Sequence, residues 1–294
     1  MKKVVIDEAF LSQLEQLGTL LKNNVAGMFG GNRRSKNLGS SCEFADYRDY
    51  MPGDDVTKID WNAYGRFDKL YQKLYFDERQ MHTRIYIDVS RSMAHGGDDK
   101  AVAAIKFAAA FAYLSVCEMD KVSIYAIRGS SLEEIVVGMV GKDSYLNCIN
   151  RLNELEFDSD SKISQAILPS AVGRGDGYSI IISDFLTDEN YEAAIDRLAE
   201  QKRDILCVQI LAREELNPQL RGKMHLFDSE DQSRFFRKRI DQDVIRAYKE
   251  ALSYVTDRIR LYTESRGGHY ILAPAYMELP ELFFDKFMDL GVVK

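Results

Sequence analysis

Asp88-Val89-Ser90-Arg91-Ser92 places one carboxylate and two hydroxyls on alternate residues, at the end of the strand-like run 84–89. Alternate side chains of an extended segment point the same way, so all three can turn toward one point. Two further segments carry oxygen donors of the same kind. Asp158-Ser159-Asp160-Ser161-Lys162-Ile163-Ser164 opens a helical stretch, and Ser183-Asp184-Phe185 follows the apolar run Tyr178–Ser183. Hard divalent cations select oxygen ligands, and Mg²⁺ takes an octahedron at ~2.0–2.1 Å while keeping some of its waters. Asp88, Ser90, Ser92, one hydroxyl of the middle segment and Asp184 could supply that shell, the aspartates acting partly through water. With only neutral hydroxyls touching it, the metal's charge stays under-compensated, and an open position favours a carboxylate from another protein. That is adhesion chemistry rather than catalysis.

Such donors must be positioned at the carboxyl ends of parallel strands, where an α/β sheet binds ligands beside the point at which strand order reverses. The sequence supplies the elements. Strands are expected at 70–76, 84–89, 122–127, 134–140, 178–183, 205–211, 223–227 and 270–272. Helices are expected at 9–22, 100–117, 144–155, 190–201, 243–263 and 279–290. The run 178–183 is apolar throughout, as in a strand buried on both faces. Alternation of strands and helices over some 200 residues implies a doubly wound, mostly parallel α/β sheet flanked by helices. The 84–89 strand should be central, beside 178–183, so that Asp88 and Asp184 converge. The stretch 27–41 reads as a loop, its Arg33-Arg34-Ser35-Lys36 cluster solvated. Two domains are expected, 1–80 and 81–294.

Composition narrows the function classes. The 294 residues carry 39 Lys and Arg against 46 Asp and Glu, a net charge of −7, which argues against a general nucleic-acid binder. Arg234-Phe235-Phe236-Arg237-Lys238-Arg239 mixes rings and cations but reads as a solvated face in a helical context. Cys42, Cys117, Cys148 and Cys207 lie far apart with no CxxC pair, which suits reduced thiols. The segment 101–116 is interrupted by Lys106 and falls short of the ~20 residues of a spanning helix. The N-terminus does not read as a signal peptide, so a cytoplasmic protein without a membrane span is expected. Gly138-Met139-Val140-Gly141-Lys142-Asp143 lacks the spacing and the Ser/Thr of a P-loop. His82, His95, His225 and His269 share no ligand spacing, and His95 reads as a surface residue.

Two resemblances follow from these residues. The three oxygen-bearing segments resemble the metal-ion-dependent adhesion site of von Willebrand factor A domains, Asp-x-Ser-x-Ser followed by a distant Thr and a further Asp. Asp88, Ser90 and Ser92 match the first element and Asp184 the last. Ser161 stands best for the Thr, with Ser159 as the alternative. The upstream block Glu43-Phe44-Ala45-Asp46-Tyr47-Arg48-Asp49-Tyr50-Met51-Pro52-Gly53-Asp54-Asp55, with Lys58-Ile59-Asp60-Trp61, resembles the signature of the bacterial family called domain of unknown function fifty-eight. That resemblance covers roughly residues 30–290. It implies a von Willebrand factor A-like domain, Mg²⁺ (or Mn²⁺ or Ca²⁺) as cofactor, and a MoxR-type AAA+ ATPase or its client as protein partner.

Simpler readings stand beside these. Asp88, Ser90 and Ser92 could form a hydrogen-bonded turn that caps the next helix. Pro52-Gly53 sets a turn, and the aromatics around Trp61 would be buried to fasten the segment to the sheet. A metal-dependent phosphohydrolase could use Asp88, but the second carboxylate such enzymes carry two residues on is replaced here by Ser90. A scaffold with a vestigial metal site is the third alternative.

Overall fold

In the computed structural model the described residues are 6–24, 35–38, 44–77, 80–94, 99–170, 177–187, 190–220, 222–227, 235–278 and 281. The chain divides into two units. The larger comprises Met1–Thr19 and Met81–Asp289, and the smaller Leu20–Gln80 with Leu290–Lys294. The N-terminal segment 1–80 is thus shared between them.

Helix α1 (Glu8–Asn24) starts where the Asp7 carboxylate accepts the Phe10 N–H at 2.9 Å, an N-terminal cap. It buries Phe10 and Leu14 in the larger unit, where Ile6 and Asn153 exchange two hydrogen bonds. In the smaller unit β1 (Ser35–Leu38), β2 (Phe44–Asp49) and β3 (Tyr71–Asp77) form an antiparallel sheet of order β1-β3-β2. β1 falls inside the stretch expected to be loop: its Ser-Lys-Asn-Leu sequence has no apolar alternation, and pairing with β3 makes the strand. The turn at Pro52-Gly53 forms as expected, with Gly53 at φ +108°. Helix α2 (Trp61–Phe67) is capped by Asp60, which accepts from the Asn62 and Ala63 N–H groups. Asp60 also takes the Tyr47 hydroxyl at 2.8 Å and lies 3.3 Å from Lys73, so it ties helix to sheet. Trp61 is 64% exposed, which corrects the expectation that it is buried. Asp60, not the indole, is the anchor.

The larger unit continues through β4 (His82–Asp88), α3 (Arg91–Ala94), α4 (Lys100–Cys117), β5 (Lys121–Arg128), β6 (Ser131–Met139), α5 (Lys142–Asn153) and α6 (Ile163–Ile167). After these come β7 (Tyr178–Ser183), α7 (Glu192–Glu200), β8 (Asp204–Leu211), α8 (Arg213–Leu216), β9 (Gly222–Phe227), β10 (Phe235–Ile240), α9 (Gln242–Ser265) and β11 (His269–Pro274). Six strands form one sheet of order β11-β8-β7-β4-β5-β6, parallel except for β6. The fold is therefore doubly wound and mostly parallel. The chain leaves β4 toward β5 on one side and later returns to β7 on the other, so strand order reverses at β4. α4 is long and apolar enough to cross a membrane by length and composition, yet its alanines from Ala103 on lie buried in the fold. α9 ends as Gly267 turns to φ +74° and the Gly268 N–H returns to the Thr263 carbonyl.

One reading needs correction. Residues 235–240 form β10, hydrogen-bonded to β9 in a two-stranded hairpin, not a helical face. The expected helix 279–290 apart from residue 281, Cys42, His95 and the Arg33-Arg34 pair lie outside the described residues, as do the side chains of residues 234–238.

Candidate metal centre

The β4 backbone runs on past Asp88 and grips the middle loop. Ser159 N–H donates to the Val89 carbonyl at 3.2 Å, and Arg91 N–H donates to the Ser159 carbonyl at 2.8 Å. One residue pair further along, Gly129 N–H reaches the Asp160 carbonyl at 3.0 Å, and Lys162 N–H reaches the Gly129 carbonyl at 3.1 Å. Parallel bridges at Ser90–Ser159 and Gly129–Ser161 therefore bring the middle loop onto the ends of β4 and β5. The β7 loop joins through a side chain: the Ser183 hydroxyl donates to Asp88 Oδ2 at 2.5 Å. All three segments meet.

Each sequence-expected donor has a defined environment. Asp88 is 2% exposed and accepts the Ser90 N–H at Oδ1 over 2.9 Å. The Ser90 and Ser92 hydroxyls lie 3.0 Å apart. Ser161 is 6% exposed, and its hydroxyl finds no hydrogen-bond partner among the described residues. The alternative, Ser159, is half-buried and lies 3.4 Å from Asp160 Oδ1. Asp184 is 2% exposed and accepts the Leu186 N–H at Oδ1 over 3.1 Å. Gln209 Nε2 donates to its backbone carbonyl. Phe185 takes φ +54° and drives its ring into the core against Tyr191, which turns the chain sharply after Asp184.

Two participants had no role in the sequence reading, Ser183 being named there only as part of its segment and Lys100 not at all. Ser183 bonds Asp88 and also accepts the Phe185 N–H at 2.9 Å. Lys100, the first residue of α4 and 1% exposed, puts Nζ 3.0 Å from Asp184 Oδ2 and 2.6 Å from Glu215 Oε1. A lysine opening an otherwise apolar, Ala-rich helix was the one available signal, since its partners lie far away in sequence.

Electrostatics set the balance. Burial pushes the Asp88 carboxyl above its ordinary range, and the charge of Asp184 pushes it further, while donors from Ser183 and Ser90 pull it back. Burial opposes the Lys100 ammonium, yet the charges of Asp184 and Glu215 outweigh it and hold the group above its ordinary value. Asp88, Asp184 and Glu215 bring three acidic groups around one ammonium, that of Lys100, so the cluster holds more acid than base.

Do these residues fit such a cation? No group of three or more His, Cys, Asp or Glu side chains suited to a metal occurs among the described residues, so hydroxyls must complete any shell. The Ser161 hydroxyl meets that need. A buried hydroxyl without a partner costs about 1–3 kcal/mol, and a hard cation is the ligand that would satisfy it. The donor set is all oxygen and suits Mg²⁺ or Mn²⁺.

A family model described as "Protein of unknown function DUF58" matches residues 46–256. Curated relatives include the uncharacterized proteins Rv1480 of Mycobacterium tuberculosis and Mb1516 of Mycobacterium bovis, each 23% identical over 212 residues. The match covers 70% of this chain and 66% of theirs, just under two thirds of their length. Similar solved structures include an aerotolerance-related membrane protein from Bacteroides fragilis, at TM-score 0.40 and 14% identity over 72% of this chain and 98% of that one. The VWA domain of SpRpn10 gives TM-score 0.41 and 11% identity over 71% and 95%. The manganese-loaded TRAP protein of Plasmodium vivax gives 0.33 and 12% over 44% and 57%. Likenesses at this level say nothing of function, and the strand order and the site rest on the chain's own geometry.

Proposed function

The chain belongs to the DUF58 family, and on that premise we propose that it is a non-enzymatic protein-interaction module of von Willebrand factor A type. It binds a partner's carboxylate through a divalent cation, Mg²⁺ with Mn²⁺ or Ca²⁺ as substitutes, at the ends of β4 and β7. The observation that carries the reading is the buried, unpartnered Ser161 hydroxyl on the loop that β4 and β5 grip. Ser90, Ser92 and Ser161 are the residues that would hold the cation directly, with Asp88 and Asp184 supplying charge. When bound, the cation supplies a Lewis-acidic point of attachment for an anionic oxygen.

The chain's own residues do the rest. Ser183 and the Ser90 N–H each hold one oxygen of Asp88, so the carboxylate is fixed in place. A carboxylate clamped on both oxygens and buried suits holding charge better than attacking phosphorus. Ser90, moreover, stands where a phosphohydrolase of this design has its second acid. We read the partner as a MoxR-type AAA+ ATPase or its client, met in the cytoplasm during complex assembly or maturation.

The test is capture of the MoxR-type ATPase from the same genome by wild type and Asp88→Ala, each with Mg²⁺ and with chelator. Capture is expected only for wild type with Mg²⁺. Equal capture in all four samples, with the variant folded, contradicts the proposal.

A further inference from the structure

We infer that Lys100 is a positioning residue that makes cation binding at this site depend on an incoming carboxylate. The inference rests on the metal-site reading above and names how that site is regulated. Lys100 is buried, and its ammonium is shared between Asp184 Oδ2 at 3.0 Å and Glu215 Oε1 at 2.6 Å. Glu215 is itself held, because its other oxygen accepts the Ala212 N–H at 2.7 Å where β8 turns into α8. Asp184 Oδ1 is engaged by the Leu186 N–H. The ammonium is therefore buried and held by two carboxylates, and one of the two carboxylates offered to a cation arrives already answered.

The consequence is a matter of sign. A fixed positive charge in a poorly solvated site repels a divalent cation and attracts an anionic ligand of that cation. Cation alone therefore binds weakly, and cation with carboxylate binds well. Coupling of this kind is reciprocal, so the carboxylate ligand also gains from the cation. An interaction site built this way stays unloaded until its partner is present. Glu215 tunes the effect. It shares the ammonium with Asp184 and compensates part of its charge. Removing Glu215 leaves the site more positive, whereas removing the ammonium leaves it more negative. The two substitutions therefore act in opposite directions on the same equilibrium, which a purely structural role for the pair would not produce.

The experiment titrates Mn²⁺ into wild type, Asp88→Ala, Lys100→Gln and Glu215→Gln, reading free Mn²⁺ by electron paramagnetic resonance, with and without saturating acetate as the carboxylate probe. Far-ultraviolet circular dichroism checks the fold of each. In wild type, acetate tightens Mn²⁺ binding. Lys100→Gln binds Mn²⁺ alone about tenfold more tightly and gains little from acetate, while Glu215→Gln binds Mn²⁺ alone more weakly and gains more. Lys100→Gln no tighter than wild type overturns the inference. If that variant fails to fold, Glu215→Gln at or above wild-type affinity overturns it instead. Binding by wild type that Asp88→Ala abolishes, with both other variants unchanged, defeats the coupling alone. Equal Mn²⁺ binding by wild type and Asp88→Ala defeats the metal site and the coupling with it.

Discussion

The Ser183 hydroxyl donates to Asp88 Oδ2 over 2.5 Å and so joins the last residue of β7 to the last residue of β4. The two lie 95 positions apart in sequence, and the bond closes the crevice at which strand order reverses. It also places the following residue, Asp184, beside Asp88. Ser183→Ala removes the donor to a buried carboxylate and the acceptor of the Phe185 N–H together. The expected loss is about 1–3 kcal/mol in urea unfolding, with weaker Mn²⁺ binding. Unchanged stability would mean that Asp88 is held by other means.

His82 gives the larger unit a pH dependence. Its Nε2 lies 2.8 Å from the Ser123 hydroxyl, which also accepts the Gly138 N–H. Burial lowers its pKa from 6.5 to about 4, helped by the charges of Arg84, Arg203 and Lys121. The folded state thus binds fewer protons than the unfolded chain across that interval. This group's contribution is fully present above about 6.5 and is lost as pH falls toward about 4. Urea midpoints of His82→Asn and wild type, compared from pH 7 to pH 4, should converge on acidification. A constant difference would reject the assignment.

Asp60 makes a link of the same sign in the smaller unit, at lower pH. The Tyr47 hydroxyl holds its pKa down to about 2, against a smaller effect of burial, with the Ala63 N–H, Lys73 and the Asn62 N–H adding to the lowering. For an acid so depressed, the contribution is present above about 3.8 and disappears as pH falls through about 2. Asp60→Ala should lower amide protection factors across 44–77 at neutral pH, and at pH 2 wild type and variant should show the same protection factors. Protection unaltered by the substitution would remove Asp60 as the anchor.

Much of this architecture is legible in sequence for a physical reason. Strands buried on both faces, such as β7 with its Ile180, Ile181 and Ile182, leave uninterrupted apolar runs, and β4 lies beside β7 as the pattern implies. Partly exposed elements leave weaker marks. β6 begins at Ser131, ahead of the expected 134, because its first residues pair on one edge of the sheet and face water. β10 is hidden by its own basic residues, and only its pairing with β9 makes it a strand. The Asp and Ser donors could be picked out because they crowd into short loops. Lys100 could not, since its partners lie 84 and 115 residues away and no local spacing links them.

Two glycines separate close packing from helix propensity. A Cβ at Gly268 would lie 2.9 Å from Thr263 Cγ2 and 3.0 Å from both Ile205 Cβ and the Ile205 carbonyl oxygen, so Gly268→Ala should cost about 1–3 kcal/mol. Gly65, in the middle of α2, has nothing within 4 Å of such a Cβ, and Gly65→Ala should stabilise its unit by about 0.5–1 kcal/mol. Thermal melts of the two variants should shift in opposite directions, and a shared direction would contradict the packing described for α9.

The orphaned hydroxyl of Ser161 decides whether the strand-end loops form a cation site at all. Calorimetric titration of Mn²⁺, in saturating acetate, into wild type and Ser161→Ala should give a single site in wild type and binding about tenfold weaker in the variant, whose removed group has no partner among the described residues to lose. Identical isotherms, or no heat from wild type, would leave three loops joined by hydrogen bonds and no metal centre.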